Sequence, residues 1–160
     1  MEPAWEQPEL EQAVRVYLPH VVRTAYACLK NRADAEDVAQ EVFLTLLERP
    51  PQVRDGEHLK AWLLKVTANK CKNLLKSGWY QSRNELPEAL PALDRTEDEV
   101  LSAVLALDGK YRLPLHLHYY EGYSIREIAH ILGLPAATVG TQLSRGRALL
   151  KQELEADYGF

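Results

Sequence analysis

Cysteine is nearly absent from this chain: Cys28 and Cys71 are the only two in 160 residues, with no CxxC spacing. No disulfide framework is therefore expected. With no apolar leader ahead of these residues, a reduced, cytoplasmic setting is the expectation. No apolar run approaches the roughly 18 residues that a membrane span requires, so membrane insertion is not expected. Alternation of apolar and polar residues with period two is scarce, which argues against sheets. The five histidines offer no metal or catalytic set. His116 and His118 are two apart and face different sides of a helix, unlike the i, i+4 pair of a helical zinc site. His20, His58 and His130 are scattered, with no nucleophile and base beside them. No catalytic residue, metal or cofactor is expected, and a helical hydrolase or metalloprotein is the least favoured class.

What is present is helical periodicity and strongly uneven charge. An apolar fraction of 46% with 26% charged residues matches a folded soluble protein, and the length allows one domain or two small ones. The net charge of −4 is the wrong sign for a nucleic-acid binder until it is resolved along the chain. Asp55 to Arg83 carries +4, Thr138 to Lys151 carries +3, and Trp79 to Glu99 between them carries −4. Whole-chain charge governs solubility, whereas local patches govern phosphate contact. Apolar residues at helical spacing run from about Leu10 to Ser77 and again from about Glu97 to Ala156. The intervening Ser82 to Thr96 holds Pro87, Pro91 and the acids Glu85, Glu88 and Asp94, which reads as an acidic flexible linker. The expected architecture is all-α: two small helical domains on a tether.

In the second block, Ser124-Ile125-Arg126-Glu127 fits a capping box. Ile125, Ile128, Ala129 and Leu132 then form one apolar stripe. Gly133 suits a left-handed helix end, and Pro135 suits the first turn of the next helix. Val139, Leu143 and Leu150 make the buried side of that second helix. Ala137, Thr141, Ser144, Arg145 and Ala148 make an opposite side small and polar enough for a major groove. A short helix, a glycine turn and a second amphipathic helix describe a helix-turn-helix, with Arg145 and Arg147 suited to phosphates. The same spacing also serves a helical hairpin used only for packing.

In the first block, Asp34 to Glu48 reads as a helix with Val38, Val42, Phe43, Leu46 and Leu47 inward. Asp37, Gln40, Glu41 and Leu44 lie at i, i+3, i+4 and i+7 on its other side. A leucine among acids marks either a protein interface or a solvated face. From Leu59 to Lys76, Lys65, Asn69, Lys72 and Lys76 share one side with Asn73, and Leu59, Leu63, Val66 and Leu74 line the other. That basic side is either solvated or a nucleic-acid surface, where Trp79 and Tyr80 could stack on unpaired bases.

Together these segments resemble one family. Asp34-Ala-Glu-Asp-Val-Ala-Gln-Glu-Val-Phe43 is similar to the helix with which sigma-70 family sigma factors grip the clamp of the RNA polymerase β′ subunit. Ala61-Trp-Leu-Leu-Lys-Val-Thr-Ala-Asn69 resembles the helix that recognises the melted minus-ten element. Lys110-Tyr-Arg-Leu-Pro-Leu-His-Leu-His-Tyr-Tyr-Glu-Gly-Tyr-Ser124, Ile125-Arg-Glu-Ile-Ala129 and Thr138-Val-Gly-Thr-Gln-Leu-Ser-Arg-Gly-Arg147 resemble the minus-thirty-five reader. All of them stand in the family's order, without room for the middle domain of housekeeping members, as in the extracytoplasmic-function (ECF) subfamily.

The resemblance implies a region 2-like bundle at 1–78, a linker at 79–96 and a region 4-like helix-turn-helix at 97–160. Asp37, Gln40, Glu41 and Leu44 would bind core RNA polymerase. Lys65, Asn69, Lys72, Asn73 and Lys76 would hold minus-ten DNA. Ala136, Ala137, Thr138, Thr141, Gln142, Ser144, Arg145 and Arg147 would contact minus-thirty-five DNA. Implied partners are core polymerase (β′ clamp and β flap), promoter DNA and an anti-sigma factor. Three residues depart from the family's pattern: Asn73 where aspartate is frequent, Lys70 where leucine is usual, and Gln142 where arginine is common. The alternative reading is a stand-alone helix-turn-helix regulator, which explains the second block and leaves the charged helices of the first unaccounted for.

Overall fold

The computed structural model describes residues 7–77 and 103–158, with side chains for 9–77 and 103–155. The expected linker, 79–96, lies outside the described residues, as do Trp79 and Tyr80. Among the described residues every regular element is a helix, and the chain divides into two compact units, Met1–Glu85 and Leu86–Phe160.

The first unit packs α1 (Gln7–Leu29), α2 (Arg32–Glu48) and α3 (Gly56–Lys76) against one another. The end of α1 and the starts of α2 and α3 have local causes. Lys30 takes a left-handed conformation (φ +56°), and its amide closes α1 by donating to Tyr26 O at 2.9 Å. Asn31 then caps α2 by accepting from the Asp34 amide at 2.9 Å, so α2 begins two residues before Asp34. Asp55 caps α3 in the same way, accepting from His58 N at 2.9 Å. Tyr17 on α1 ties down that start by donating to Gly56 O at 2.9 Å. A Cβ on Gly56 would lie 2.5 Å from the tyrosine hydroxyl, so only glycine admits this contact. Burial and the nearby carboxylates of Glu57 and Asp55 hold the Tyr17 hydroxyl above its ordinary pKa, keeping it a donor.

The core of this unit is formed by Val21, Ala25, Val42, Leu46, Leu63 and Leu64. Cys28 and Cys71 meet inside it, bringing α1 to α3. Their thiol hydrogen bond and their burial raise the Cys71 pKa, so both behave as small apolar groups. One inward residue of the sequence reading is corrected: Leu47 is 54% exposed, because α2 buries Val38, Val42, Phe43 and Leu46 and leaves Leu47 one step past that stripe. Lys70 is half-buried on α3, as expected of a long stem laid along apolar neighbours.

In the second unit, residues 103–105 are helical and lead into α4 (Gly109–Leu115), which continues as a wider π turn, His116–Tyr120. Two more helices follow, α5 (Ile125–Leu132) and α6 (Ala136–Tyr158). Both halves of the capping box form: Glu127 N donates to Ser124 Oγ at 3.2 Å, and Ser124 N donates to Glu127 Oε1 at 3.0 Å. Gly133 ends α5 at φ +66°, the left-handed cap its position called for.

Three details depart from the sequence reading. Of the expected stripe only Ile128 is fully buried: Ile125 is 39% exposed, Ala129 and Leu132 are half-buried, and Ile131 joins Ile128 inside. Leu150 is half-buried where the sequence placed it inside. Pro135 is the residue before α6, where its carbonyl accepts from Val139 N at 3.1 Å. The shared core is Leu115, Leu117, Ile128, Ile131, Val139 and Leu143. Two polar contacts lie inside it: Arg112 Nη1 donates to Leu107 O, and His116 Nε2 lies 3.4 Å from Glu121 Oε1.

Gly146 sets how closely α6 approaches α4. A Cβ there would stand 3.1 Å from Leu115 Cδ1 and 3.2 Å from Tyr111 Cβ. Gly146→Val is expected to destabilise the second unit by about 1–3 kcal/mol through overpacking. Amide hydrogen exchange should show lost protection in α4 to α6 and unchanged protection in α1 to α3. Unchanged protection throughout would mean the contact is slack.

Candidate nucleic-acid and protein interfaces

Three helices each bury one face and present the other. On α2, Asp37, Gln40, Glu41 and Leu44 are all exposed along one line, and Leu44 is 54% exposed. Leu47 extends this line by a further turn with equal exposure. Sequence periodicity assigned Leu47 to the core. The signal that could have found it is that four inward positions already complete the stripe. Two leucines in water beside carboxylates form an apolar strip with an acidic border, the composition of a protein-contact face.

On α3, Asn69, Lys72, Asn73 and Lys76 are exposed on one side, and Lys65 is half-buried at its near end. The opposite side, Leu59, Leu63, Leu64, Ala68 and Cys71, is inside. Three ammonium groups and two amides on a rigid helix attract phosphates and can hydrogen-bond to unpaired bases.

On α6, Ala136, Ala137, Thr141, Ser144, Arg145 and Arg147 are exposed, and Thr138 and Gln142 are half-buried. The structure separates these eight into groups. Ala137, Thr138, Thr141, Gln142 and Arg145 line an open cleft of about 380 Å³, whose other wall is Lys110 and Tyr111 of α4. Arg147 does not join them: its Nη1 donates to Tyr119 Oη at 3.0 Å on another side of the helix. Ala136 and Ser144 are exposed outside the cleft. Lys110 and Tyr111 escaped the sequence reading as site residues, since no spacing rule links them to a helix more than twenty residues later. Among the described residues no three His, Cys, Asp or Glu side chains group as metal ligands, and no described helix is long and apolar enough to cross a membrane.

The geometry defines a class first: a two-unit helical protein with a helix-turn-helix in the second unit and a charged, one-sided helix pair in the first. The comparisons narrow it. Residues 13–80 match the family model of sigma-70 region 2, and residues 97–150 match that of sigma-70 region 4. The RNA polymerase sigma-E factor of Streptomyces avermitilis is 30% identical, over 92% of this chain and 86% of its own. SigZ of Bacillus subtilis is 26% identical, over 97% and 87%. Among solved structures, CnrH in complex with the cytosolic domain of CnrY is similar with a TM-score of 0.70 at 26% identity, covering 95% of this chain and 91% of that one. The sigma factor RpoE of Bartonella quintana, solved with the anti-sigma factor NepR, shares the fold with a TM-score of 0.77 at 22% identity, over 93% and 98%.

This chain belongs to the sigma-70 family of RNA polymerase sigma factors, in its extracytoplasmic-function branch. It is a promoter-directing transcription initiation factor, of a family that is not catalytic. The stand-alone regulator is not favoured, because the region 2 match accounts for the first unit as well. With the family shown, Arg145→Ala is expected to weaken duplex binding for every sequence and to lower the slope of log affinity against log salt by about 1. Titrations at several salt concentrations read both effects, and an unchanged slope would remove Arg145 from the phosphate contacts.

Proposed function

We propose that the three one-sided helices divide the work of initiation among them. The α2 face, Asp37, Gln40, Glu41 and Leu44 with Leu47, docks on the β′ clamp of core RNA polymerase. The α3 face, Lys65, Asn69, Lys72, Asn73 and Lys76, holds unpaired minus-ten bases. Extruding a base costs a few kcal/mol, offset by contacts made only to the unpaired form. The α6 face reads duplex minus-thirty-five DNA, with the β flap supporting the second unit. The bundle spans 1–78 and the helix-turn-helix 97–160, joined by the acidic stretch 79–96. Neither unit needs tight affinity alone, because one polymerase holding both supplies a high effective concentration.

In this reading the protein acts in the cytoplasm, has no catalytic residue or cofactor, and is held inactive by an anti-sigma factor, in keeping with the RpoE–NepR complex. The observation that carries the docking assignment is the pair of leucines at 54% exposure among acids on α2. A face so apolar is stabilised by being covered, and the acids beside it choose a basic partner.

Mixing the chain with core polymerase and running size-exclusion chromatography without DNA should give stable co-elution. Asp37→Arg with Glu41→Arg should lower that affinity roughly 100-fold while leaving the helical circular dichroism intact. Co-elution of the double variant at wild-type affinity would contradict the docking face.

A further inference from the structure

We propose that the cleft between α4 and α6 is a subsite for one DNA backbone phosphate, held by Lys110 and Arg145 from opposite walls with the Gln142 amide between them. The assignment rests on the reading above, in which α6 lies against duplex DNA, and adds a positioning role for α4 that no helical periodicity indicated.

The lining of the cleft carries two cations, Lys110 and Arg145, and no carboxylate. Both side chains are exposed, so each reaches an incoming group without unfolding anything. The Lys110 ammonium is 5.1 Å from the centre of the Tyr111 ring, an attraction that keeps it over the cleft wall. Gln142 is half-buried and lines the same cleft, and its Oε1 is covered with no hydrogen-bond partner among the described residues. Thr141 adds no donor, since its hydroxyl already donates to Ala137 O at 3.0 Å. Thr138 and Tyr111 contribute hydroxyls to the lining. The cleft therefore offers two positive charges and neutral donors around open space, which suits an oxyanion and suits a base edge poorly.

The position of the cleft selects the source of that oxyanion. Ala137, Thr141 and Arg145 belong to both the cleft lining and the exposed side of α6. A helix seated in a major groove has a phosphate backbone along each flank, and the cleft opens along one flank of α6. Gly140 lies on the other flank, where a Cβ would meet nothing within 4 Å; the helix is thin there and can seat closely.

The test uses the full chain assembled with core polymerase and a duplex obtained by binding selection with that assembly, carrying one neutral methylphosphonate at a time along each strand. Lys110→Ala should lower duplex affinity roughly tenfold at low salt, without changing which bases are selected. At one backbone position the methylphosphonate should weaken the wild type, while Lys110→Ala and Arg145→Ala both lose sensitivity at that same position. Wild-type affinity in Lys110→Ala, or loss of sensitivity at two different positions, would overturn the shared subsite while leaving α6 as the DNA reader. A wild-type assembly with core polymerase that selects no duplex at all would overturn the reading on which the subsite rests, and the subsite with it.

Discussion

The second unit depends on a close approach that only glycine allows. Gly146 lets α6 settle against Leu115 and Tyr111 of α4, and that contact fixes the angle at which the rest of α6 leaves the core. Val139 and Leu143, buried toward α5, complete the seating. With three points fixed, the exposed side of α6 is not a matter of side-chain choice. It is whatever the buried side leaves over, and from Ala136 to Arg147 that is two alanines, a threonine, a serine and two arginines. The first unit obeys the same constraint through different residues. Its α2 and α3 must each bury one stripe against α1, so an acidic-apolar face and a basic face remain outside, held rigid by the core beneath them.

Charge is partitioned to match. A chain of net charge −4 would repel DNA if its charges were evenly spread. They are gathered instead on helix faces: carboxylates with leucines on α2, ammonium groups with asparagines on α3, and guanidinium groups on α6. Contacts over a few ångströms see these patches and not the total, since salt screens charges beyond about 8 Å at physiological ionic strength. One molecule can thereby offer a basic partner and an anionic polymer separate surfaces.

Much of this was legible in the sequence because its causes are local. The capping box at Ser124 and Glu127 and the left-handed Gly133 follow from neighbours within a turn or two and form. Of the expected stripes, Val38, Val42, Phe43 and Leu46 on α2 and Leu59 and Leu63 on α3 are buried, whereas Val66 and Leu74 are only half-buried. The family resemblance then supplied the order of the two units, which the region 2 and region 4 matches bear out. What was not legible depends on distant partners. Ile125 is apolar and falls on the expected stripe, yet it is 39% exposed. Lys110 and Tyr111 face α6 because Gly146 admits α4 there, a fact about residues some thirty-five positions apart. The divergent grouping of Arg145 and Arg147 was equally hidden: only Tyr119, brought near by the π turn, shows where Arg147 is held.

The central claim is that this chain confers promoter choice on RNA polymerase. Core polymerase is incubated with genomic DNA fragments, with and without the chain, and the transcript starts are sequenced. The account predicts new starts only when the chain is present, preceded by two shared sequence elements at a fixed spacing, one for each unit. Starts that are unchanged by the chain, or that share no upstream element, would contradict it.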